Sequence, residues 1–553
     1  MRARSASRLH RPCGVVLGLV LGAFGCDADR QLRVSQPWEG DGAGGQGGSA
    51  IPARFKPLVD TITVEQQQLA APGVAIAIIE KGQVTFARGF GTKRPGDDDP
   101  VLATTLFRLA SNTKKHTTVG LLRLVEQGLV ALAEPVTSYV PDFRFAFGPS
   151  WAQGIAVEDL LTHTSAMVDW LDGDSPQTGD DALSEHFTGG WFTQHGYVMA
   201  PAGAVFNYSN PNFMVAGLVI ERTTGQPYRQ YMSEQVYAPL GMTRTFFLPA
   251  EVLADGDYAW GRTDDAWTPN PSGQPMVVGP DSYDNGWGRP CAYAFSSVLD
   301  EAQFLLFLRN GAPNVLGDEL RQAMQAPHES TETLLDLETY GYGLFVDRGV
   351  FLDGGASFYD VVRITHHGAL PGYSSDFEFF PGLDFGFITL ASSDGAYFDR
   401  SLGVALETLC DLPEPAVPPD LSPSPSSYGA YLGEYFDPFS VGRILVTQQG
   451  DELRFDMPAL DHANVPYDPV LYPVAPNNFY ENIAGIVGLV TFVLDGHGQA
   501  RYYRTHGFVG RRVLPEDSAE QPQPRRSPEQ LLRQLRAAQD ERSTPMLSAR
   551  RRD

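Results

Sequence analysis

Between Asp411 and Ser427 the chain carries Pro413, Pro415, Pro418, Pro419, Pro423 and Pro425. Each proline fixes φ and removes a backbone donor, so neither a helix nor an interior strand can run through this stretch. It reads as a stiff, extended linker, and a domain boundary falls there. With 553 residues the chain is also too long for one ordinary domain. Upstream, Phe55 to Leu69 has the helical spacing of apolar residues. Val74–Ile79 and Val84–Arg88 read as a hairpin about the Lys81-Gly82 turn. Helical patterns follow at Thr113–Gln127, Val157–Leu161, Phe213–Thr224 and Ser297–Asn310. Strand runs return at Arg363–His366, Ser375–Phe380 and Phe385–Ala391, before a last helix over Arg400–Leu409. Strands at both ends with helices between them predict an α/β sheet carrying a helical insertion. Downstream of the linker, short strands with turns at Gly450-Asp451 and Asp495-Gly496 predict a small antiparallel β domain, sandwich or barrel.

The N-terminus reads as an export signal. Arg2, Arg4, Arg8 and Arg11 precede an apolar run from Gly14 to Phe24, too short for a spanning helix of about 20 residues. The run ends Ala23-Phe24-Gly25-Cys26, which resembles a bacterial lipobox with Cys26 as the lipid attachment site. An ordinary signal peptide with an incidental cysteine stays open. Gly40 to Ser49 is glycine-rich, and as coil the segment from Cys26 to Ala50 would hold a domain about 25–30 Å from an anchor. The expected organisation is a signal over 1–25, a tether over 26–50, an α/β domain over 51–410 and the linker over 411–427. A β domain over 428–514 and a disordered, arginine-rich tail over 515–553 complete it.

With 41 Lys+Arg against 66 Asp+Glu, the net charge of −25 argues against nucleic acid as a partner. No GxxxxGK[ST] loop is present, and the four cysteines, Cys13, Cys26, Cys291 and Cys410, make no CxxC pair. Neither a metal nor an organic cofactor is expected. The only lysines are Lys56, Lys81, Lys93, Lys114 and Lys115, so a lysine inside a motif carries more weight than usual.

Such a motif is Ser111-x-x-Lys114, at the start of a helical pattern and preceded by Phe107-Arg108-Leu109-Ala110. Positions i and i+3 share a helix face, so hydroxyl and amine can meet. The helix N-terminus favours an alkoxide and disfavours an ammonium, which suits a serine nucleophile with a lysine base. A second element is Tyr208-Ser209-Asn210. A tyrosine hydroxyl can shuttle a proton, and an asparagine amide can hold a substrate carbonyl. The third is His366-His367-Gly368-Ala369, where glycine would let a substrate lie along a strand edge. The N–H groups of Ala369 and Ser111 could there form an oxyanion hole. Taken singly, each has a bland reading: surface polarity, a loop tyrosine, a turn histidine.

In this order the three resemble S-x-x-K, Y-[AS]-N and [KH]-x-G of the serine β-lactamase and penicillin-binding-protein family, in its class C-like branch. Pro72-Gly73-Val74-Ala75, Leu160-Leu161-Thr162-His163-Thr164-Ser165, Pro239-Leu240-Gly241-Met242 and Pro371-Gly372-Tyr373-Ser374 agree as well. The resemblance, spanning Ile51 to Leu409, implies an antiparallel sheet flanked by helices with an all-helical insertion. It implies an exported serine hydrolase, esterase or D,D-peptidase-like, that takes a small ester, amide or peptide through an acyl-enzyme. Ser111 would be the nucleophile, Lys114 its base and Tyr208 the proton shuttle. Asn210, His366, Gly368 and Ala369 would position the substrate. A true β-lactamase, or a non-catalytic envelope binding protein of the same fold, are the competing readings.

Three departures stand out. His366 replaces the usual lysine; a histidine is mostly neutral at pH 7, which argues against efficient β-lactam hydrolysis, and its protonation near a pKa of about 6.5 is expected to restore a positive group for carboxylate-bearing substrates. Ala166 stands where glycine usually follows His-Thr-Ser, and Pro290-Cys291 where glycines usually precede Ser296-Ser297. His163 and Ser165 read as a structural turn. Trp170, Phe187, Trp191 and Phe192 are expected to wall the pocket, with packing of the insertion as the alternative. By the same resemblance, Cys291 and Cys410 are expected to be free, buried thiols.

Overall fold

The computed structural model describes residues 51–147, 153–169, 177–264, 274–282, 284–333, 337–352 and 355–515, with 527, 530–532 and 535 of the tail. The export signal, Cys26, the tether and Trp170 lie outside the described residues.

An eight-stranded sheet organises the first part. In chain order its strands are β1 (Gly73–Glu80), β2 (Gln83–Gly91), β3 (Glu329–Ser330), β4 (Glu338–Tyr340), β5 (Phe345–Leu352), β6 (Ser357–Leu370), β7 (Tyr373–Phe380) and β8 (Phe385–Ala391). They lie in the order β2-β1-β8-β7-β6-β5-β4-β3, with antiparallel pairing throughout. The chain leaves after β2 and returns at β3, and the helical insertion occupies the interval, as the strand–helix–strand pattern predicts.

Side-chain alternation gives the sheet two different faces. Val74, Ile76, Ile78, Phe385 and Phe387 point to one face. Phe55, Leu58 and Ile62 of the N-terminal segment and helix α1 (Lys56–Gln68) cover it, with Ala405 and Leu406 of the C-terminal helix (Asp399–Leu409). On the other face, helix α2 (Thr113–Glu126) is buried from Thr113 through Leu122 and packs on helix α3 (Asn210–Thr224). Helix α4 (Val298–Asn310), capped by Ser297 accepting from the Asp300 N–H, sets Leu305 where Gly386 has no Cβ. Lys115 anchors α2 to α4 through a 2.8 Å ion pair with Glu301, both side chains being buried. Burying an isolated charge is costly, so this lysine is satisfied by pairing.

Beyond Cys410 the linker stays extended. The Ala416 N–H donates to the Phe358 carbonyl, which pins it to β6, and Leu421 packs on Ala475. The second part is a closed antiparallel barrel of β9 (Gly433–Asp437), β10 (Gly442–Gln449), β11 (Glu452–Asp456), β12 (Tyr467–Ala475), β13 (Asn478–Ile483), β14 (Ile486–Leu494), β15 (Ala500–Arg504) and β16 (Val509–Arg512). Closure removes the unpaired edges that a small open sheet would expose. Tyr435, Phe479, Phe492 and Tyr503 belong to its packed core. The tail needs a correction here. Leu531 and Leu535, expected in disordered chain, are buried in that core.

Candidate functional site

The turn that carries Ser111 is pressed against the sheet. Ala110 adopts φ +49°, in the left-handed region that a Cβ disfavours, and Ser111 follows it into the first turn before α2. Ser375 Oγ of β7 donates to the Leu109 carbonyl at 2.6 Å and accepts from Asn112 Nδ2 at 2.8 Å. Gly368 of β6 lies beneath. A Cβ there would sit 2.2 Å from the Leu109 carbonyl oxygen and 3.0 Å from Ala110 Cβ. The glycine is therefore required by the approach of the Ser111 turn. That is a nearer demand than the expected approach of a substrate.

Lys114 follows Ser111 by one turn, at the start of α2, and is fully buried. Its Nζ donates to Ser111 Oγ at 2.9 Å, to Asn210 Oδ1 at 2.6 Å and to the Cys291 carbonyl at 3.2 Å. It also stands 4.8 Å from the centre of the Tyr208 ring. The Pro290-Cys291 departure thus supplies a main-chain acceptor to Lys114, while the Pro290 ring fills the space over Gly217 of α3. The Ser111–Lys114 and Tyr208–Asn210 segments, nearly a hundred positions apart in sequence, meet in one place.

His366 belongs to the same face. It lies within β6, opposite Phe377, and its ring centre is 6.1 Å from that of Tyr208. Its Nδ1 is 2.7 Å from the His367 carbonyl oxygen and its Nε2 is 3.3 Å from Tyr340 Oη. These contacts fit a neutral ring that donates from Nδ1 and accepts at Nε2. Burial, then the positive charge of Lys114, push its pKa well below the ordinary value. The ring is a buried neighbour of Tyr340 and is neutral at pH 7, as expected; what is corrected is the return of its charge near pH 6.5, which is displaced well below that. Ala369 follows near the end of β6, opposite Ser374.

His163 sits under Tyr208 with ring centres 4.3 Å apart. Its Nδ1 accepts from the Ser209 N–H at 3.1 Å and from Asn212 Nδ2 at 2.9 Å. Ser165 donates to Asn212 Oδ1 at 2.5 Å. The turn residues thus brace the Tyr208-Ser209-Asn210 segment. Burial and Lys114 also push the His163 pKa well down. Ala166 has φ +54°, which explains why glycine would suit that position.

Two neighbours were not singled out from the sequence. Asp169 Oδ1 accepts from the Asn210 N–H at 2.7 Å and from Asn210 Nδ2 at 3.2 Å. His506, from the barrel, donates through Nε2 to Asp169 Oδ2 at 2.8 Å. Burial works to raise the Asp169 pKa. The His506 hydrogen bond and charge, the Asn210 N–H and Lys114 outweigh it, and the net displacement is downward. These two partners lie on either side of the proline linker, so no local spacing could have paired them.

The expected aromatic wall is also revised. Phe187 and Phe192 are fully buried, their ring centres 4.7 Å apart, and pack with Phe143 inside the insertion. Trp191 stacks on His195 at 4.3 Å. Cys291 is a buried thiol whose Sγ donates to the Gly288 carbonyl. Cys410 is a thiol too, but half-buried rather than buried, its pKa pushed up to about 12 by burial.

A family model described as Beta-lactamase matches residues 59–408. The chain belongs to the beta-lactamase family. The match takes in Ser111, Lys114, Tyr208, Asn210 and His366, and leaves the barrel outside. Protein flp of Staphylococcus aureus (strain NCTC 8325 / PS 47) is 26% identical over 349 residues, covering 62% of this chain and 64% of that protein. A putative penicillin-binding protein, PbpX of Bacillus subtilis (strain 168), is 29% identical over 184 residues, 33% of this chain and 42% of that one. This chain therefore spans less than two thirds of the length of these curated relatives. Among solved structures, an octameric penicillin-binding protein homologue from Pyrococcus abyssi superposes with TM-score 0.54 at 21% identity, covering 79% of this chain and 96% of that one. SurE gives TM-score 0.59 at 19% identity, covering 83% and 99%. Those shares exceed the family match alone, so the fold likeness runs past the catalytic-type domain of the family.

Proposed function

We propose that the protein is a serine hydrolase that acts through an acyl-enzyme on an ester or amide. The observation that carries this is Lys114 Nζ, held at 2.9 Å from Ser111 Oγ and 2.6 Å from Asn210 Oδ1 inside a buried site. In the reaction Lys114, once its ammonium has given up one proton, takes the Ser111 proton as Oγ bonds to the substrate carbonyl carbon. The N–H groups of Ser111 and Ala369 would hold the resulting oxyanion. Tyr208 or Lys114 returns the proton to the leaving alcohol or amine as its bond to carbon breaks. Water then enters, bonds to the acyl carbon and restores the Ser111 hydroxyl. Gly368 lets the Ser111 turn sit against β6.

The neutral state of His366 supports a neutral ester or amide over a carboxylate-bearing β-lactam, because no positive group stands at that position to hold a carboxylate. Export, with a lipid on Cys26, is part of the same reading and rests on the N-terminal sequence. The test is covalent labelling of the full chain with a fluorophosphonate and a fluorescent penicillin, the adduct being located by peptide mass. We expect the fluorophosphonate on Ser111, and none in Ser111→Ala. Folded protein that takes neither probe at Ser111 would favour a non-catalytic binding protein.

A further inference from the structure

We propose that His506, at the tip of the barrel's β15–β16 hairpin, is a positioning residue for the Ser111–Lys114 site, acting through Asp169 and Asn210. The inference rests on the hydrolase reading above.

The hairpin tip is built to hold a fixed shape. Thr505 Oγ1 accepts from the Gly507 N–H at 3.1 Å and from the Phe508 N–H at 3.0 Å, and the Thr505 N–H donates to the Phe508 carbonyl at 2.9 Å. Phe508 is buried in the barrel core, and tail residue Leu535 lies 2.8 Å from where a Gly507 Cβ would be. His506 is therefore presented by a braced turn rather than by a loose loop.

What it meets decides its role. Asp169 uses Oδ2 for His506 and Oδ1 for both donors of Asn210, main chain and side chain. An amide whose Nδ2 is engaged in this way must turn its Oδ1 elsewhere, and it turns it to Lys114 at 2.6 Å. The contacts therefore run without a gap from His506 through Asp169, Asn210 and Lys114 to Ser111 Oγ. The Asp169 side chain is only 11% exposed, so its charge depends on the donors around it. Without His506 the carboxylate would rotate or draw other donors. The Asn210 amide would then lose the bond that sets which of its ends faces Lys114.

A purely adhesive role belongs to another residue of the same hairpin. Arg504 donates to the main-chain carbonyls of Phe206 and Thr331, gripping the family domain without touching the Lys114 shell. His506 instead ends on a carboxylate one bond away from that shell.

The experiment uses the full-length protein with His506→Ala, His506→Gln, Asp169→Asn and the double variant His506→Ala/Asp169→Asn. Gln can offer an amide donor near the Nε2 position. Two readouts are taken: the second-order rate of fluorophosphonate labelling at Ser111, and hydrogen exchange of the peptide spanning Asn207–Phe213. We expect His506→Ala to slow labelling roughly ten- to hundredfold, the scale of a small misplacement beside reacting atoms. Exchange at Asn210 should accelerate about tenfold, as one hydrogen bond is loosened. His506→Gln should restore both, and His506→Ala should add nothing in the Asp169→Asn background. Unchanged exchange in His506→Ala overturns the inference whatever the labelling shows. So does unchanged labelling, or an equal further loss in the Asp169→Asn background. A wild-type protein that is never labelled removes the hydrolase reading instead, and the exchange data still judge the link from His506 to Asn210.

Discussion

His366 and His367 are neighbours in β6, yet they belong to opposite faces of the sheet and to opposite chemistries. His366 faces Lys114 and Tyr340, and burial with a nearby cation pushes its pKa well down. His367 faces the layer of α1 and the C-terminal helix and pairs with Asp376 of β7 at 2.5 Å. Burial alone would lower its pKa, but the hydrogen bond and charge of Asp376, with the charge of Glu378, raise it above the ordinary value. Beside it Glu378 accepts a bidentate pair of bonds from Arg363, and Thr365 adds a third. His367, Asp376 and Glu378 lie close enough together to hold a metal ion, yet Arg363 already meets the charge of Glu378. A strand reverses its side chains at every residue. Here the α1 face lines the strand with paired acids and bases; on the other face the Lys115–Glu301 pair stands beside the site, and the direct hydrogen-bond partners of Lys114 are neutral groups. Pairing stabilises the fold, whereas the neutral surroundings suit a lysine that must gain and lose a proton.

That contrast breaks most sharply at Lys114. Lys114→Ala should slow fluorophosphonate labelling of Ser111 by roughly 10²–10⁴-fold, the range of lost acid–base assistance. The melting temperature should fall only modestly, because the desolvation cost of a buried charge-bearing group is removed with it while the Asn210 Oδ1 and Cys291 carbonyl lose a donor. Labelling at near wild-type rates at pH 7 would rule out Lys114 as the base.

On the far face the expectation reverses. Glu378→Gln leaves Arg363 with a weaker partner inside the protein, 7% exposed as it is. Breaking a buried pair from one side costs about 3–5 kcal/mol. The unfolding midpoint in denaturant should drop accordingly, while the folded fraction still labels at Ser111 within about threefold of wild type, since the pair lies on the opposite face of the sheet from His366 and shares no partner with Lys114. Equal damage to stability and labelling in both variants would mean that the two faces are not separable.

The resemblance named Ser111, Lys114, Tyr208 and Asn210, and the structure places them side by side because each belongs to a short motif whose spacing mirrors local geometry. Ser111 and Lys114 sit one helical turn apart, and Tyr208 and Asn210 flank the start of α3. Strands β1 and β8 were legible for a similar reason, since continuous apolar runs mark strands covered on both faces. That His366 is neutral at pH 7 was legible; how far its pKa is pushed down was not. It depends on which face the ring takes and on Lys114, 252 positions earlier in the numbering of the chain. Gly368 was recognised, but its reason, the Leu109–Ala110 backbone above it, appears only once the turn is docked on the sheet. Phe187 and Phe192 looked like pocket residues because aromatic composition does not reveal the direction of a side chain. The barrel was expected as a separate small domain, and its His506 reaches the neighbourhood of Asn210 through a contact between residues 337 positions apart.

The smallest expected effect gives the sharpest test of the two-face comparison, because it predicts slopes of opposite sign. An unfolded histidine titrates near pH 6.5. His366 has a folded pKa below that value, so below pH 6.5 the unfolded chain binds the extra proton and stability falls as the solution is made more acidic. His367 has a folded pKa above that value, so its contribution is fully present below pH 6.5 and is lost as pH rises through the folded pKa. Each unit of displacement corresponds to about 1.4 kcal/mol. Melting temperatures of wild type, His366→Gln and His367→Gln between pH 5 and 9 should separate the two, other titrating groups cancelling in the differences. Relative to wild type, His366→Gln should lose the decline on the acid side, and His367→Gln the decline on the alkaline side. Difference curves that slope the same way for both variants would show that the ring of His366 is not held neutral beside Lys114. The charge of a histidine at that position would then have to re-enter the account of substrate choice.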